Sequence, residues 1–596
     1  MDYDRIASLP RLFFDQAAGL GDKPLTYRRS EGQWRPGSWG VTAAFVRALA
    51  GFLIARGVEP GDRVALVAEN RPEWLIADLA IMTAGAVTVP AFSTNTTEDH
   101  RHILTHSGAK GVIYSGGTIA SRLLPAAFQA PELKFTIAMD AQDKAAQMPF
   151  QQWDWMEAMA AQSQTAEIER RLGMQKRSDT CCIIYTSGTG GTPKGVMLSH
   201  GSILCNIKGA YKLLLDVGLG NDRFLSFLPL SHSYEHTAGQ FLPISIGAEI
   251  WYAESIERLV DNMAEVRPTI MTAVPRLYEA VHAKILRGLS KAPKVRQELF
   301  WLAYRLGRKA YEQPGSLSIA ETWLDKLCNV LVRKKVQQRF GGHLKAFVSG
   351  GAALNYEIGV FFLALGVRLL QGYGQTEASP VISANMPSKI KIDTVGPIFD
   401  GLTARIAEDG EILVKGEAVM SGYWRDPESS AKAVVDGWLH TGDIGEFDAD
   451  GYLKITDRKK DIIVLSGGDN VSPARVEGFL VLQPEIAQAM VHGDKHPHLV
   501  ALVVPDEEFA REWAAKNGSD GGLAMLADNA IFHKVLGSVI DRVNASLSPL
   551  EKIRRYTLLP EGFTIDNGML TPSMKIKRHK IRDKWGAAIA RMYERS

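Results

Sequence analysis

The 596-residue chain has almost no excess of charge: 68 lysines and arginines stand against 66 aspartates and glutamates, a formal net charge of +2. Such a balance argues against a broad nucleic-acid-binding surface. Cysteine is scarce. Cys181, Cys182, Cys205 and Cys328 are the whole supply, and none stands at metal-ligand or redox spacing. They read as small buried hydrophobes in a reducing compartment. The start, MDYDRIASLPRLFF, lacks the basic opening and apolar run of a signal peptide. The most apolar long segment, LIADLAIMTAGAVTVPA, is broken by Asp78 and Gly85. It reads as helix, turn and strand, not as a membrane span. No internal repeat or low-complexity tract is evident. A cytoplasmic protein is the expectation.

What is present is an ordinary soluble balance, 46% hydrophobic and 22% charged, over a length that calls for several domains. Short β-rich runs alternate with amphipathic stretches: RVALVAEN, PEWLIADLAIMTAG, AVTVPA, then GVIYSG. That order predicts βαβ units and parallel sheets with helices on both faces. From about Glu257 to Phe340 the pattern is helical and carries a basic patch, RKKVQQR, read as a solvated helix face. After about Asp393 short strands with Asp-Gly turns follow: EDGEILVKG, DGWLH, DADGYLKITDR. Past Asp461 the pieces predict a small α+β domain: a hairpin (DIIVLSGGDNVSP), a helix (ARVEGFLVL) and strands (AQAMVHG, HLVALVVP). The fold class is therefore α/β. A large domain over 1–457 holds parallel or mixed sheets and a β-barrel-like part, and a small α+β domain covers 458–596. The charged stretch TDRKKD is the candidate junction.

The apolar run CCII leads into YTSGTGGTPKGV, from Tyr185 to Val196. It is not a Walker A motif, because Pro193 precedes Lys194 and no Gly-Lys-Ser/Thr follows the required gap. It still has the makings of a phosphate loop. Gly188, Gly190, Gly191 and Gly195 let backbone N–H groups turn toward an anion. Thr186, Ser187, Thr189 and Thr192 add hydroxyl donors, and Lys194 adds a mobile positive charge. By composition alone a surface turn after a strand explains the stretch equally well.

The stretch resembles the signature loop of the adenylate-forming, AMP-binding superfamily, with Gly190 where a second threonine is usual. More motifs follow in that family's order. The resemblance implies that FVSGGAAL, through Gly351, Ala352 and Ala353, lines an adenine pocket. In VRLLQGYGQTE it implies that Tyr373 stacks on adenine, with Gly374 and Gln375 beside the nucleotide. Thr376 would contact the α-phosphate, and Glu377 would hold Mg²⁺. HTGD puts Asp443 at the ribose hydroxyls, and TDRKKD puts Arg458 at a further ribose contact. NGMLTPSMKIKR puts Lys575 at the family's adenylation lysine. Each residue alone has a bland explanation; their common order over most of the chain makes chance unlikely. The loops after Ile184, Val348 and Leu370 are each expected to follow a strand and to share one sheet edge.

The implied chemistry joins a carboxylate to the α-phosphorus of ATP, expels pyrophosphate, and passes the acyl group to a thiol with release of AMP. In LPLSHSYEHTAG, His232 stands where family members carry a histidine or aromatic beside the substrate carboxylate. RPTIMTAVPRLYEAV and the Leu-Thr-Pro form of the lysine motif resemble the long-chain fatty acyl-CoA synthetase branch. ATP, Mg²⁺ and CoA are the implied cofactors, and a fatty acid is the implied substrate. The resemblance also implies a swing of the small domain about Lys460, which would bring the glycine hairpin of Gly467 and Gly468 to the CoA arm. Two other readings stand beside it: loading of a carrier-protein thiol, and a nucleotide-binding pseudoenzyme. The last is disfavoured because Lys575, Glu377 and Asp443 are all present. Chain-length preference, pathway, a monomer or dimer state, and peripheral contact with the inner face of a membrane stay open.

Overall fold

The structure, a computed structural model, describes residues 2–142, 147–160, 164–186, 192–519, 522–565, 567–571 and 575–594. Two eight-stranded sheets form its frame. In the first, the strands run in the order Val381–Ala384, Leu369–Gly374, Ala346–Ser349, Ile270–Ala273, Arg223–Ser226, Glu249–Tyr252, Pro24–Ser30 and Gln33–Ser38. Its central strands are parallel and each edge is antiparallel. The second runs Gly422–Tyr423, Lys194–Ser199, Thr180–Thr186, Val87–Pro90, Arg63–Val67, Gly111–Tyr114, Phe135–Ala138 and Gln151–Asp154. The segment LIADLAIMTAGAVTVPA is helix, turn and strand, as its pattern predicts. Helix Pro72–Thr83 is buried on every side from Trp74 to Thr83, because it is a layer between strands of both sheets. The four cysteines are buried and unpaired, and no helix among the described residues is long and apolar enough to cross a membrane.

The Asp-Gly turns after Asp393 connect a five-stranded antiparallel sheet, the barrel-like part. It consists of Leu402–Ile406, Glu411–Gly416, Trp438–Phe447 and Val434–Val435, with Leu453–Arg458 paired to Trp438–Phe447. The C-terminal part builds its own apolar clusters around Leu499–Pro505, a strand buried along its whole length. That strand pairs antiparallel with Ile486–His492 and parallel with Ile553–Leu558.

Two expectations fail. Arg333, the first residue of RKKVQQR, is not solvated. It is buried, its guanidinium donating to the carbonyls of Ala364 and Ala303 and to Asp325; a five-donor fork can clamp three segments where a lysine could not. The three glycine-bearing loops also do not share one sheet edge. Ala346–Ser349 and Leu369–Gly374 are neighbours in the first sheet, whereas Thr180–Thr186 lies in the second and pairs antiparallel with Lys194–Ser199. The YTSGTGGTPKGV stretch therefore spans a hairpin, not a strand-to-helix turn.

Candidate active site

The cleft starts from the ends of two parallel strands of the first sheet. After Ala346–Ser349 the chain turns at Gly350 and Gly351. A Cβ on Gly350 would lie 3.1 Å from the Tyr234 ring, and Gly351 has φ +86°. Gly351, Ala352 and Ala353 follow as an exposed rim. After Leu369–Gly374 the backbone must be glycine at 374, since a Cβ there would sit 1.8 Å from the carbonyl oxygen of Pro380. On one side of this turn Tyr373 donates its hydroxyl to Asp443 Oδ2 at 2.6 Å. Asp443 Oδ1 lies 3.2 Å from Arg458 Nε, because the two residues are register partners on adjacent antiparallel strands. Burial lifts the Asp443 carboxyl above the usual carboxylate range, against the pull of Arg458. Gln375 presents a buried amide nitrogen with no partner among the described residues.

On the other side of the turn lie Thr376 and Glu377. The Thr376 hydroxyl is 3.0 Å from that of Ser233. Glu377 Oε1 accepts from the Tyr423 hydroxyl at 2.9 Å. Burial, then the Glu377 charge, drives the Tyr423 phenol well above its ordinary range. Tyr423 pairs with Val196 across the sheet, which seats the second strand of the loop's hairpin beside Glu377. Lys194, at the head of that strand, points to this same corner. Its ammonium stands 5.0 Å from the Tyr423 ring centroid and 3.4 Å from Asp426, and it bonds the Ser429 hydroxyl. Thr186 closes the first strand and Thr192 follows it; Ser187, Gly188, Thr189, Gly190 and Gly191 lie outside the described residues. Among the described residues no group of three or more His, Cys, Asp or Glu forms a metal cage. A single carboxylate with one oxygen committed to a tyrosine suits Mg²⁺ that shares its coordination with phosphates and water.

His232 reaches the cleft from the segment after strand Arg223–Ser226. Burial, helped by Lys575, pulls its imidazole down to about 4, so it is neutral near pH 7. Its Nδ1 accepts from the Tyr234 amide at 3.3 Å, which leaves the proton on Nε2. The small domain supplies Lys575. Its amide donates to the Thr571 hydroxyl at 3.0 Å, and the Thr571 amide donates back to the Lys575 carbonyl at 2.8 Å. Its side chain keeps access to solvent, yet burial of the ammonium, with Arg458 beside it, depresses its pKa while Asp443 and Glu377 oppose the shift. These influences put Lys575 in one electrostatic neighbourhood with Arg458, Asp443, Glu377 and His232. Three predicted residues are elsewhere. Gly467 and Gly468 form an exposed turn between Ile463–Val464 and Asn470–Val471, with Gly468 at φ +90°. Lys460 sits exposed in the turn after strand Leu453–Arg458.

Sequence reasoning missed Ser233 and Tyr423 as partners of Thr376 and Glu377. Ser233 lies next to His232 inside LPLSHSYEHTAG, but nothing in that string says which hydroxyl meets Thr376. Tyr423 sits in a two-residue strand, too short for any periodicity to mark.

Residues 13–424 match the model of the AMP-binding enzyme family, and residues 460–596 match that of the AMP-binding enzyme C-terminal domain. The chain is 33% identical to the long-chain-fatty-acid–CoA ligase FadD15 of Mycobacterium tuberculosis, over 100% of this chain and 98% of that protein. It is 30% identical to human long-chain-fatty-acid–CoA ligase 1, over 93% of this chain and 82% of the relative. Among solved structures, an anthranilate CoA ligase, AuaEII, with anthranoyl-AMP has a TM-score of 0.74 at 19% identity, covering 99% of this chain and 100% of its own. The o-succinylbenzoate CoA synthetase of Bacillus subtilis with AMP reaches 0.68 at 20%, covering 96% and 98%. At those identities the likeness is one of fold.

Proposed function

The chain belongs to the AMP-binding enzyme family, and from that premise we propose that it is a long-chain fatty acid–CoA ligase. It activates a fatty acid with ATP to acyl-AMP and pyrophosphate, then transfers the acyl group to CoA and releases AMP. The full-length similarity to long-chain-fatty-acid–CoA ligases supports the substrate class. The observation that carries the mechanism is the position of Lys575, a small-domain residue, among the charges of Asp443 and Glu377 on the large domain.

A carboxylate is a poor electrophile because its oxygen is a bad leaving group, and the mixed anhydride with AMP removes that obstacle. Attack on the α-phosphorus asks for in-line positioning and neutralised charge. Tyr373 stacks on adenine, and Asp443 accepts from the ribose hydroxyls with lone pairs that Tyr373 and Arg458 leave free. Glu377 would hold Mg²⁺, which supplies charge neutralisation on the phosphates when bound. Thr376 donates to the α-phosphate, and neutral His232 offers its Nε2–H to the acyl carboxylate or to an oxygen of the α-phosphate whose phosphorus it attacks. Lys575, whose charged form Asp443 and Glu377 favour against burial and Arg458, brings its side-chain nitrogen to the α-phosphate as negative charge builds there. Backbone N–H groups and hydroxyls of 186–192 would cradle the pyrophosphate. For the second step the small domain turns about Lys460 and brings the hairpin of Gly467 and Gly468 to the pantetheine arm. Peripheral contact with a membrane belongs to the same reading, since fatty acids partition into bilayers.

The test is exchange of labelled pyrophosphate into ATP, followed by AMP release on addition of CoA. Exchange should require a long-chain acid and Mg²⁺, and AMP release should require CoA. Exchange indifferent to fatty acid would sink the substrate assignment; transfer to a carrier-protein thiol but not to CoA would reassign the second step.

A further inference from the structure

An uncovered apolar stripe runs along the helices between 294 and 339, and it includes no residue of the cleft. Helix Ile319–Cys328 opens on a capping box made by Ser318 and Glu321. It continues through the π-helical turn Asn329–Arg333 into helix Lys334–Arg339. Ile319 is 82% exposed, Trp323 69%, Leu327 51% and Val330 54%. At about 100° per residue, Ile319, Trp323 and Leu327 fall within about 80° of one another on the helix circumference. A stripe of that kind ordinarily faces a core. Here the core side is a different one, where Cys328, Val332 and Arg333 are buried.

The charges around the stripe are sorted by sign. Its acids turn toward the protein. Glu321 pairs with Lys309 at 2.8 Å on the preceding antiparallel helix Lys294–Glu312, and Asp325 pairs with buried Arg333 at 2.5 Å. Its bases are left outward. Lys326, Lys334, Lys335 and Arg339 are exposed and have no ion-pair partner among the described residues. The Lys326 ammonium stands 5.3 Å from the Trp323 ring centroid. Exposed apolar side chains, a tryptophan and unpaired lysines along one helical segment are what a headgroup layer accepts: methylenes and ring sink, ammonium groups stay at the phosphates. A protein–protein interface has the opposite bias, its buried centre being poor in lysine.

The geometry points to this face as the docking surface for an anionic phospholipid bilayer, with the helix lying in the headgroup plane and Trp323 and Leu327 inserted. The inference rests on the fatty-acid reading above, because a bilayer is where such a substrate is stored. The helix beneath, through Phe300, Ala303 and Leu306, packs in the same apolar cluster as Phe347, on the strand that runs to the cleft. The docked face and the cleft are thus joined through one packed apolar cluster.

The experiment is flotation of the full-length protein with vesicles of phosphatidylcholine, with or without phosphatidylglycerol. Three proteins are compared: wild type, Trp323→Ser/Leu327→Ser, and Lys334→Gln/Lys335→Gln. The wild type should float with the phosphatidylglycerol vesicles, the serine variant should partition at least about tenfold more weakly, and the glutamine variant should lose the part of binding that salt removes. Turnover of a water-soluble medium-chain acid without vesicles should be alike in all three, since every altered side chain is exposed. That arm separates the two readings, because an inactive wild type would refute the ligase assignment while the flotation result stood by itself. Equal flotation of wild type and serine variant overturns the proposal, as does a wild type that ignores both vesicle types. A dimer that the serine variant dissolves overturns it in favour of a contact between two copies of the chain.

Discussion

Asp443 and Arg458 face each other as register partners on two antiparallel strands, with Asp443 Oδ1 3.2 Å from Arg458 Nε and Asp443 Oδ2 2.6 Å from the Tyr373 hydroxyl. The carboxylate is held from both sides before any nucleotide arrives. Removing it should cost ATP two charge-assisted hydrogen bonds, each about 1.5–3 kcal/mol. Asp443→Ala is expected to weaken ATP binding by at least tenfold in calorimetry, and Tyr373→Phe, which keeps the ring but not the hydroxyl, should weaken it less. An unchanged ATP affinity in a folded Asp443→Ala protein would show that the carboxylate does not meet the ribose.

Lys575→Ala should slow acyl-AMP formation by roughly a hundredfold or more, the usual effect of deleting a preorganised charge from a transition state. Transfer from supplied acyl-AMP to CoA should survive. The two half-reactions are measured separately, by pyrophosphate release and by thioester formation. An equal fall in both would make Lys575 structural, or move its role to Lys577.

Lys460 lies between strand Leu453–Arg458 and the small-domain hairpin, in a turn where the amides of Asp461 and Ile462 both donate to the Arg458 carbonyl. Proline at this position fixes φ near −65°. If the turn is the pivot, Lys460→Pro leaves the first half-reaction near normal and stops the second, so acyl-AMP accumulates and is detected by chromatography after acid quench. Full thioester activity in this variant removes Lys460 as the hinge.

Three histidines are held neutral by burial, His100, His200 and His232, each drawn down to about 4. Unfolding returns each toward about 6.5, so between pH 6.5 and 4 these three side chains bind more protons in the unfolded chain, and their contribution to stability falls as pH falls. Glu235, raised by burial to about 7, works the other way below pH 7. His200 accepts from the Leu9 amide at 3.3 Å, an interaction that His200→Asn can keep. That variant should flatten the acid limb of urea-midpoint stability by up to about 1.4 kcal/mol per pH unit. An unaltered slope between pH 6.5 and 5 would mean that His200 does not titrate on unfolding.

The alternation of short β runs with amphipathic stretches made the parallel sheets legible, and Asp78 and Gly85 marked where helix Pro72–Thr83 gives way to strand Val87–Pro90. Burial on both faces writes itself into sequence as continuous apolar runs. Pairing partners do not. Nothing local says that Lys194–Ser199 runs back along Thr180–Thr186, nor that Gly422–Tyr423 is laid beside it. The candidate site residues were named through the resemblance of the motifs to those of the family, not from periodicity or spacing, and of them the structure brings Tyr373, Asp443 and Arg458 into direct contact. The closing contacts of the site were not legible: Tyr423 to Glu377 and Ser233 to Thr376 join segments far apart in the chain. Arg333 shows the same limit, since its sequence neighbours are lysines while its bonding partners lie on three other elements.

The strand Gly422–Tyr423 has a thermodynamic corollary. Through Val196 it is bolted to the hairpin that spans 186–194, and through its phenol to Glu377. A shift of the hairpin is thereby passed to the carboxylate through one strand pairing and one hydrogen bond. If Glu377 holds the divalent cation and the hairpin the pyrophosphate, the two affinities are coupled, and substitutions at Tyr423 should move both in the same direction.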